Sequence, residues 1–471
     1  MTISRQFYAT ATRLPNKVAV IQGERQLTYA GLLSLVQQQV HILRANDLER
    51  GDHLMCQLTG IDFVVMLLAC ADLGICLVPM SVDATRETIA KAYAACDCKE
   101  LVNAFFAPIT DRAHGLRLKF QGQPEDNLLI ITTSGSTGDP KPILLKQNTK
   151  LARVEMMNDL YFCTEDDVTL VSTPLCHSMG QRLVLMSVLK GGTLVLMDGW
   201  SAEKWHDLAN AHGVTFAVPV ASQVRQIALA GMVAASIRCM VSSSAMLDEG
   251  AIAAIRCPAY NCYGTTEVSI ATSTDSTTPV GSVGKPIYEA DVYVDDATGE
   301  ITVSSALLLF DGYYNRPELT EQAFSDLDGA FSDLLFFKTG DLGRMDSEGN
   351  LFYLGRIKEL INVGGTKVYP QDVEAVLSGY PAIAECAAFP QADDALGEVV
   401  ALAIVLDQER VKANVVGWET FDWLRGIQSI CLPHLTDAQL PRAVHIVDAL
   451  PKTDTGKIQR GKLAEKLGGV Q

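Results

Sequence analysis

The sequence predicts an α/β protein of layered helices and largely parallel sheets, with a smaller second domain toward the C-terminus. Three observations carry this. Helical and strand signals alternate through the first two thirds of the chain, the texture changes from Gly299 onward, and 471 residues exceed what one small core accommodates. In order along the chain, the apolar spacing of Leu27 to Ala45 predicts a helix, as does that of Phe63 to Leu73, which Gly74 should end. Ile75 to Val78, Leu128 to Ile131 and Thr193 to Met197 are short apolar runs of the length and composition of buried strands. Beyond Gly299, Glu300 to Val303 and Leu351 to Leu354 are strand-like, and Asp346-Ser347-Glu348-Gly349-Asn350 between them is rich in turn formers. A domain boundary near Arg356 to Lys358 divides the chain into 1–357 and 358–471.

Composition narrows the function class. With 48% hydrophobic and 20% charged residues the chain matches ordinary globular enzymes. A formal net charge of −17 argues against nucleic acid or an anionic membrane as partner, although a nucleotide needs only local donors and a metal ion. The apolar stretch Phe63 to Met80 contains Asp72 and Gly74, which favours a buried helix and strand over a membrane span. The N-terminal residues carry Arg5 and Arg13 and lack the apolar block of a signal peptide. Twelve cysteines include no C-x-x-C pair, and Cys96-Asp97-Cys98 is poor zinc geometry, so free thiols in a reducing cytoplasm are expected.

Four clusters carry chemistry. Thr133-Ser134-Gly135-Ser136-Thr137-Gly138-Asp139-Pro140-Lys141 follows an apolar strand and should be the loop leaving its end. Its glycines let backbone N–H groups turn toward an anion, while hydroxyls and a lysine add donors; a plain flexible loop has the same make-up. The Walker spacing does not fit, because Pro142 follows the lysine. Tyr263-Gly264-Thr265-Thr266-Glu267 offers hydroxyls and one carboxylate, a set suited to Mg2+ beside phosphate. The same residues also read as a helix start, with Thr265 or Thr266 as cap and Glu267 in the first turn. Lys338-Thr339-Gly340-Asp341-Leu342-Gly343, with Gly355-Arg356-Ile357-Lys358-Glu359 after it, offers an aspartate to a diol and an arginine to a sugar or phosphate, or is simply a turn. Pro451 to Arg460 is a loop bearing Lys452, Lys457 and Arg460, which is either solvated or a site for an anion.

In this order and at these separations the clusters resemble the adenylate-forming superfamily of acyl- and aryl-CoA synthetases, nonribosomal peptide adenylation domains and luciferases. Further matching segments are Leu27-Thr28-Tyr29, Gly281 to Pro286, Gly312-Tyr313 and Gly364-Gly365 ahead of Lys367 to Pro370. The resemblance spans nearly the whole chain. It implies a large N-terminal domain of layered α/β subdomains with a β-barrel-like subdomain, and a small mobile α+β C-terminal domain. It also implies two steps, in which a carboxylic acid is activated by ATP as an acyl-adenylate and then transferred to a thiol. Coenzyme A, or the phosphopantetheine of a separate carrier protein, would be the acceptor, since no carrier domain is expected after Gln471.

By the same resemblance Thr133, Ser134, Gly135, Ser136, Thr137, Gly138 and Lys141 would hold phosphates with Thr266, and Glu267 would hold Mg2+. Ser243, Ser244, Ala245, Tyr263, Gly264 and Thr265 would meet the nucleotide, Asp341 and Arg356 the ribose. Lys457 would act on the carboxylate in adenylation, Lys358 would be the hinge, and Gly364 and Gly365 would line the thiol's route. Pro174 to Arg182 should open the helix that lines the acyl pocket, placing His177, Ser178, Met179 and Arg182 on one side and Cys262, Ile270 and Ala271 opposite. Ser178 stands where amino-acid-activating members carry an aspartate, which counts against an α-amino acid. Arg182 would favour a substrate with a second acid or another acceptor group if it faces the pocket, and otherwise reaches to solvent or a surface carboxylate. Two departures are visible: Ser242 to Met246 replaces a glycine-rich adenine strand, and Asn103 to Gln123 is abbreviated. A catalytically silent binding protein on this fold is the competing class, and a monomer or homodimer is expected.

Overall fold

In the first unit, parallel strands made of continuous apolar runs form the centres of two sheets; antiparallel strands close both edges of the larger sheet and one edge of the smaller. A computed structural model describes residues 1–103, 121–134, 140–243, 247, 249–326, 335–377, 380–414, 422–453 and 457–467. Backbone packing groups them into two compact units, Met1–Val292 with Val303–Phe337, and Tyr293–Thr302 with Lys338–Gln471. The domain boundary at 357/358 read from the sequence falls within the second of these units.

The larger sheet of the first unit has nine strands in the order Lys285–Pro286, Thr272–Ser273, Ala259–Tyr263, Cys239–Ser243, Phe216–Ala217, Val168–Val171, Thr193–Leu196, Val18–Gln22, Arg25–Thr28. From Ala259–Tyr263 to Val18–Gln22 the neighbours are parallel. Trp205, Leu170, Val195 and Met240 lie in one core against this sheet, all buried. The second sheet has five strands in the order Glu100–Val102, His53–Cys56, Cys76–Pro79, Asn127–Ser134, Pro140–Lys146. Between them helix Gly60–Leu73 is buried at every residue except Asp62 and ends at Gly74 in the left-handed region, as its apolar composition and terminal glycine require. Among the described residues no helix is long and apolar enough to cross a membrane.

The predicted elements are present with shifted ends. Thr28 accepts a hydrogen bond from the Gly31 N–H and so caps a helix over Tyr29–Ala45, which leaves Leu27 in the preceding strand. The larger correction concerns the glycine-rich run. Thr133 and Ser134 continue the strand Asn127–Ser134, and they pair antiparallel with Lys141 and Pro140 of the next strand. Thr133, Ser134, Pro140 and Lys141 thus belong to the sheet and not to the predicted loop over 133–141; 135–139 lie outside the described residues, and the sheet is not uniformly parallel there. β-branched Thr132 favours continuation of the strand, because such side chains pack well on a pleated surface.

The second unit is α+β. Its sheet runs Thr366–Val368, Ile361–Val363, Gly397–Leu406, Ile383–Asp393, with Ala443–Ile446 parallel to Gly397–Leu406. Alternation along two strands splits the core between the faces. Ala388, Val400, Leu402 and Ile404 pack with Val373 and Leu377 of helix Pro370–Leu377 and Ile427 of helix Trp423–Cys431. Ala387, Phe389, Ala401 and Ala403 pack with Leu463 of helix Arg460–Leu467. In the same unit the strand from Lys338 to Met345 turns through Asp346–Asn350 into Leu351–Arg356. Asp346 Oδ1 accepts from the N–H groups of Glu348 at 2.9 Å and Asn350 at 2.8 Å, which makes that predicted turn.

One buried group makes stability depend on pH. Asp72 is 5% exposed and accepts from the Tyr8 hydroxyl at 3.1 Å, yet burial pushes its carboxyl up to about 6. The folded chain thus holds this proton to a higher pH than the unfolded chain does. The resulting stability is full below pH ~4, where the unfolded carboxyl also holds its proton, and is lost as pH rises through about 6, a change of about 3 kcal/mol. Urea unfolding across that range should show Asp72→Asn removing this slope. Equal slopes in parent and variant would assign the pH dependence elsewhere.

Candidate active site

The strand Ala259–Tyr263 leaves the first unit's large sheet into a tight turn. The Ser269 N–H donates to the Thr265 carbonyl at 2.9 Å, and the Val268 N–H donates to the Thr265 hydroxyl at 3.3 Å. Thr265 therefore caps a single turn, and the helix start read as an alternative does not develop. Ser269 has a φ of 75°, which redirects the chain into Ile270 and Ala271. Gly264 is required, because a Cβ there would sit 1.7 Å from the Ser269 carbonyl oxygen. Thr266 and Glu267 occupy the middle of the turn and are half-buried.

Arg153 holds this turn. It is fully buried on helix Gln147–Leu160, and its guanidinium donates to the Thr266 carbonyl at 2.8 Å, the Glu267 carbonyl at 2.6 Å and the Leu308 carbonyl at 2.8 Å. The Phe310 N–H also donates to the Glu267 carbonyl, at 2.7 Å. The turn is thereby joined to 308–314, which lies along the strand Pro140–Lys146 through Asp311 N–H to Leu144 O at 2.9 Å and Tyr314 N–H to Pro142 O at 2.8 Å. Between the two, the Tyr313 hydroxyl donates to Glu267 Oε1 at 3.1 Å, and the Lys141 ammonium lies 5.5 Å from the Tyr313 ring centroid. Burial and the Glu267 charge push the Tyr313 hydroxyl up, so it stays a proton donor. The structure thus brings Lys141, Tyr313 and Glu267 together. Of the other residues in the glycine-rich run, Gly135, Ser136, Thr137 and Gly138 lie outside the described residues, as do the side chains of Thr133 and Ser134 and, farther along, Ser244 and Ala245.

The predicted pocket helix spans Ser178–Lys190 with His177 as its N-cap residue. His177 and Met179 are half-buried, Ser178 is buried, and the Ser178 carbonyl accepts from the Lys150 ammonium at 3.0 Å. Lys150 is fully buried and its only other acceptor among the described residues is Gln181 Oε1 at 3.3 Å. Burial, with Arg182 and Arg153 nearby, pulls Lys150 well below the ordinary lysine range. Arg182 is 2% exposed, so it does not reach to solvent, and the solvent-facing alternative is excluded. Its Nε and Nη1 have no hydrogen-bond acceptor among the described residues. Burial lowers it to about 10, opposed by the neighbouring Cys262 and Tyr161, so it is charged at neutral pH. Cys262, Ile270 and Ala271 are buried as well, and Ser243 pairs in register with Cys262.

Sequence reasoning missed Lys150 and Arg153. Their one signal was placement: two basic residues three apart on a helix lie on the same face as Leu151, Val154 and Met157, all buried.

The second unit holds the remaining candidates. Asp341 and Arg356 are cross-strand partners, with Oδ1 and Nε 3.1 Å apart; the Asp341 side chain is 3% exposed and that of Arg356 49%. Lys358 is exposed in the short 3-10 turn Ile357–Glu359. Gly364 and Gly365, with φ of 55° and 89°, make a two-residue hairpin turn between Ile361–Val363 and Thr366–Val368. Lys457 is exposed, while its N–H donates to Thr453 Oγ1 at 3.2 Å and its carbonyl accepts from the Thr453 N–H at 2.8 Å. Three residues on, Arg460 donates to Glu359 Oε2 at 3.0 Å, to both Glu374 oxygens at 2.7 and 2.8 Å and to the Ala388 carbonyl at 3.1 Å.

The donor chemistry fits magnesium held mainly by phosphate. Glu267 supplies one carboxylate, Thr266 a hydroxyl, and no group of three or more His, Cys, Asp or Glu able to hold a metal occurs among the described residues. Zinc and structural calcium need more protein ligands than that.

The family model described as AMP-binding enzyme matches residues 7–119 and 111–314, and that of the AMP-binding enzyme C-terminal domain matches 372–457. The chain is 27% identical over 492 residues to the long-chain-fatty-acid–CoA ligase FadD13 of Mycobacterium tuberculosis, covering 94% of each. It is 31% identical over 347 residues to a 2-succinylbenzoate–CoA ligase of Listeria monocytogenes, covering 72% of this chain and 69% of that relative. Among solved structures, o-succinylbenzoate coenzyme A synthetase (MenE) from Bacillus subtilis, in complex with ATP and magnesium ion, superposes with a TM-score of 0.86 at 23% identity, covering 97% of this chain and 98% of that one.

If Arg153 organises the turn, removing its fork frees three carbonyls at once. In hydrogen exchange, Arg153→Leu should speed exchange of the Ser269 and Phe310 amides by about tenfold or more relative to Leu170 in the central sheet. Uniform acceleration would mean general destabilisation instead.

Proposed function

The chain belongs to the adenylate-forming family of AMP-binding enzymes, and from that premise we propose that it activates a carboxylic acid with ATP and transfers the acyl group to coenzyme A. The observation that carries this reading is the turn clamped by Arg153, which sets Glu267 against Tyr313 and Lys141 at the mouth of the glycine-rich hairpin. Relatives similar over most of the chain are named as CoA ligases, which supports the reading.

In the first half-reaction a carboxylate oxygen bonds to the α-phosphorus of ATP, the bond to pyrophosphate breaks, and an acyl-adenylate remains. Two anions must approach, so the residues act chiefly by positioning and charge neutralisation. Lys141 and the 133–141 run hold the phosphates together with Thr266, and Tyr263, Gly264, Thr265, Ser243, Ser244 and Ala245 border the nucleotide. Bound magnesium supplies charge neutralisation on the phosphates, and Glu267 is the side chain that holds it. Tyr313 fixes the Glu267 carboxylate by donating to one oxygen, which keeps the other for that role. Asp341 and Arg356 bind ribose, the aspartate accepting from the diol. Lys457 neutralises charge on the attacking carboxylate and the transferring phosphorus, a task suited to a compact ammonium.

In the second half-reaction the thiol sulfur bonds to the acyl carbon and AMP leaves with the shared oxygen. Lys358 is the hinge between the adenylating and thiol-transferring arrangements, which makes 358–471 the mobile domain, and Gly364 and Gly365 line the thiol's route. A separate carrier protein is the alternative acceptor.

The test is acid-dependent pyrophosphate release over a panel of carboxylic acids, then thioester formation with coenzyme A and with a phosphopantetheinylated carrier. Lys457→Ala should lower pyrophosphate release by at least about a hundredfold yet leave thioester formation from supplied acyl-adenylate largely intact. Equal loss of both half-reactions would remove the division of labour. Absence of pyrophosphate release with every acid would favour a silent binding protein.

A further inference from the structure

We propose that the acid this chain activates is a dicarboxylic acid, whose second carboxylate is received by Arg182. The inference rests on the reading of the chain as an acid-activating ligase and names the class of its substrate.

Three cations, Lys150, Arg153 and Arg182, are buried in one region of the first unit: Arg182 and Arg153 both pull Lys150 down, and Arg182 pulls Arg153 down. Among the described residues none of the three forms an ion pair. Arg153 is satisfied by three carbonyls, and Lys150 by a carbonyl and an amide oxygen. Arg182 differs from both: among the described residues its buried Nε and Nη1 have no acceptor.

Its polar neighbours do not supply the missing charge. The Cys262 thiol is pushed up to about 12 by burial, and the Tyr161 hydroxyl is raised well above its ordinary range by the same cause. Both are neutral at physiological pH, so the guanidinium faces uncharged groups. A buried cation left in this way is costly unless an anion arrives with the ligand. The N–H donors of a buried guanidinium are matched better by a charged carboxylate than by any neutral acceptor.

Position separates this carboxylate from the reacting one. Arg182 lies on helix Ser178–Lys190 beside Cys262, within the strand Ala259–Tyr263, whereas Glu267 lies beyond that strand's end, around the clamped turn. A guanidinium bound to the attacking oxygens would also withdraw the electron density that the first half-reaction needs. The group at Arg182 is therefore the distal end of the acid.

The experiment measures pyrophosphate release by the wild-type protein with malonate, succinate, glutarate, adipate, phthalate and 2-succinylbenzoate, each beside its monomethyl ester, and with monocarboxylic fatty and aromatic acids. At least one diacid should exceed its monoester by about a hundredfold in kcat/KM, mostly through KM. Arg182→Met should bring that ratio close to one, and Arg182→Lys should leave an intermediate ratio. A wild-type preference for monoesters or monocarboxylic acids would overturn the proposal and leave the ligase reading standing. A ratio unchanged in Arg182→Met would overturn it as well. Pyrophosphate release with no acid at all would instead remove the ligase reading, and this inference with it. Should the Met variant not fold, the wild-type pairs and the Lys variant decide the matter.

Discussion

The guanidinium of Arg153 is the contact on which the rest of the site depends. Three segments distant in sequence meet at it: a helix, the turn after a central strand, and a stretch that runs beside the hairpin of the glycine-rich run. A lysine would not replace it, because one ammonium lacks the planar fork that reaches three carbonyls in fixed directions. All three acceptors are backbone oxygens, so the arginine fixes main-chain geometry and leaves the Thr266 and Glu267 side chains to other partners. Gly264 serves the same end, since the turn closes onto the space where its side chain would be.

The second unit uses an arginine in a related way. Arg460 joins Glu359, next to the proposed hinge, to Glu374 on helix Pro370–Leu377 and to the Ala388 carbonyl, three residues after Lys457. Burial raises Glu374 while Arg460 opposes it, so this is a buried charge pair with its hydrogen bonds satisfied. Lys457 itself is exposed, on a segment held by backbone hydrogen bonds at Thr453 and Gln459 and by the side chain of Arg460. The charge distribution of the whole chain hides these arrangements: a net charge of −17 coexists with three buried cations in the first unit that form no ion pair among the described residues.

Much of this was legible in the sequence, for identifiable reasons. Glycines and hydroxyls at turns, an aspartate after a glycine and a lysine in a proline-bounded loop are local signals, and Glu267, Asp341 and Lys457 stand in such segments. Helix Gly60–Leu73 and its glycine stop follow from composition alone. What was not legible depends on long-range contact. Lys150 and Arg153 resemble ordinary surface residues of a helix until the partners of their donors are known. The burial of Arg182 could not be fixed by spacing, because either face of helix Ser178–Lys190 is compatible with it. The extent of the glycine-rich loop was overestimated for a similar reason, since pairing with Pro140 and Lys141 draws Thr133 and Ser134 into the sheet.

That pairing makes chain length between Ser134 and Pro140 a gauge of register. Successive side chains in a strand point to opposite faces, so sliding the pairing by one residue would turn the whole second strand over. Ile143, now fully buried, would leave the core, and Lys141 would leave the Tyr313 ring. Residue identity within 135–139 and residue number there are thus separate constraints. A change of identity acts on whatever the loop touches, whereas a change of number that the strands absorb would misplace a lysine and unseat an isoleucine together.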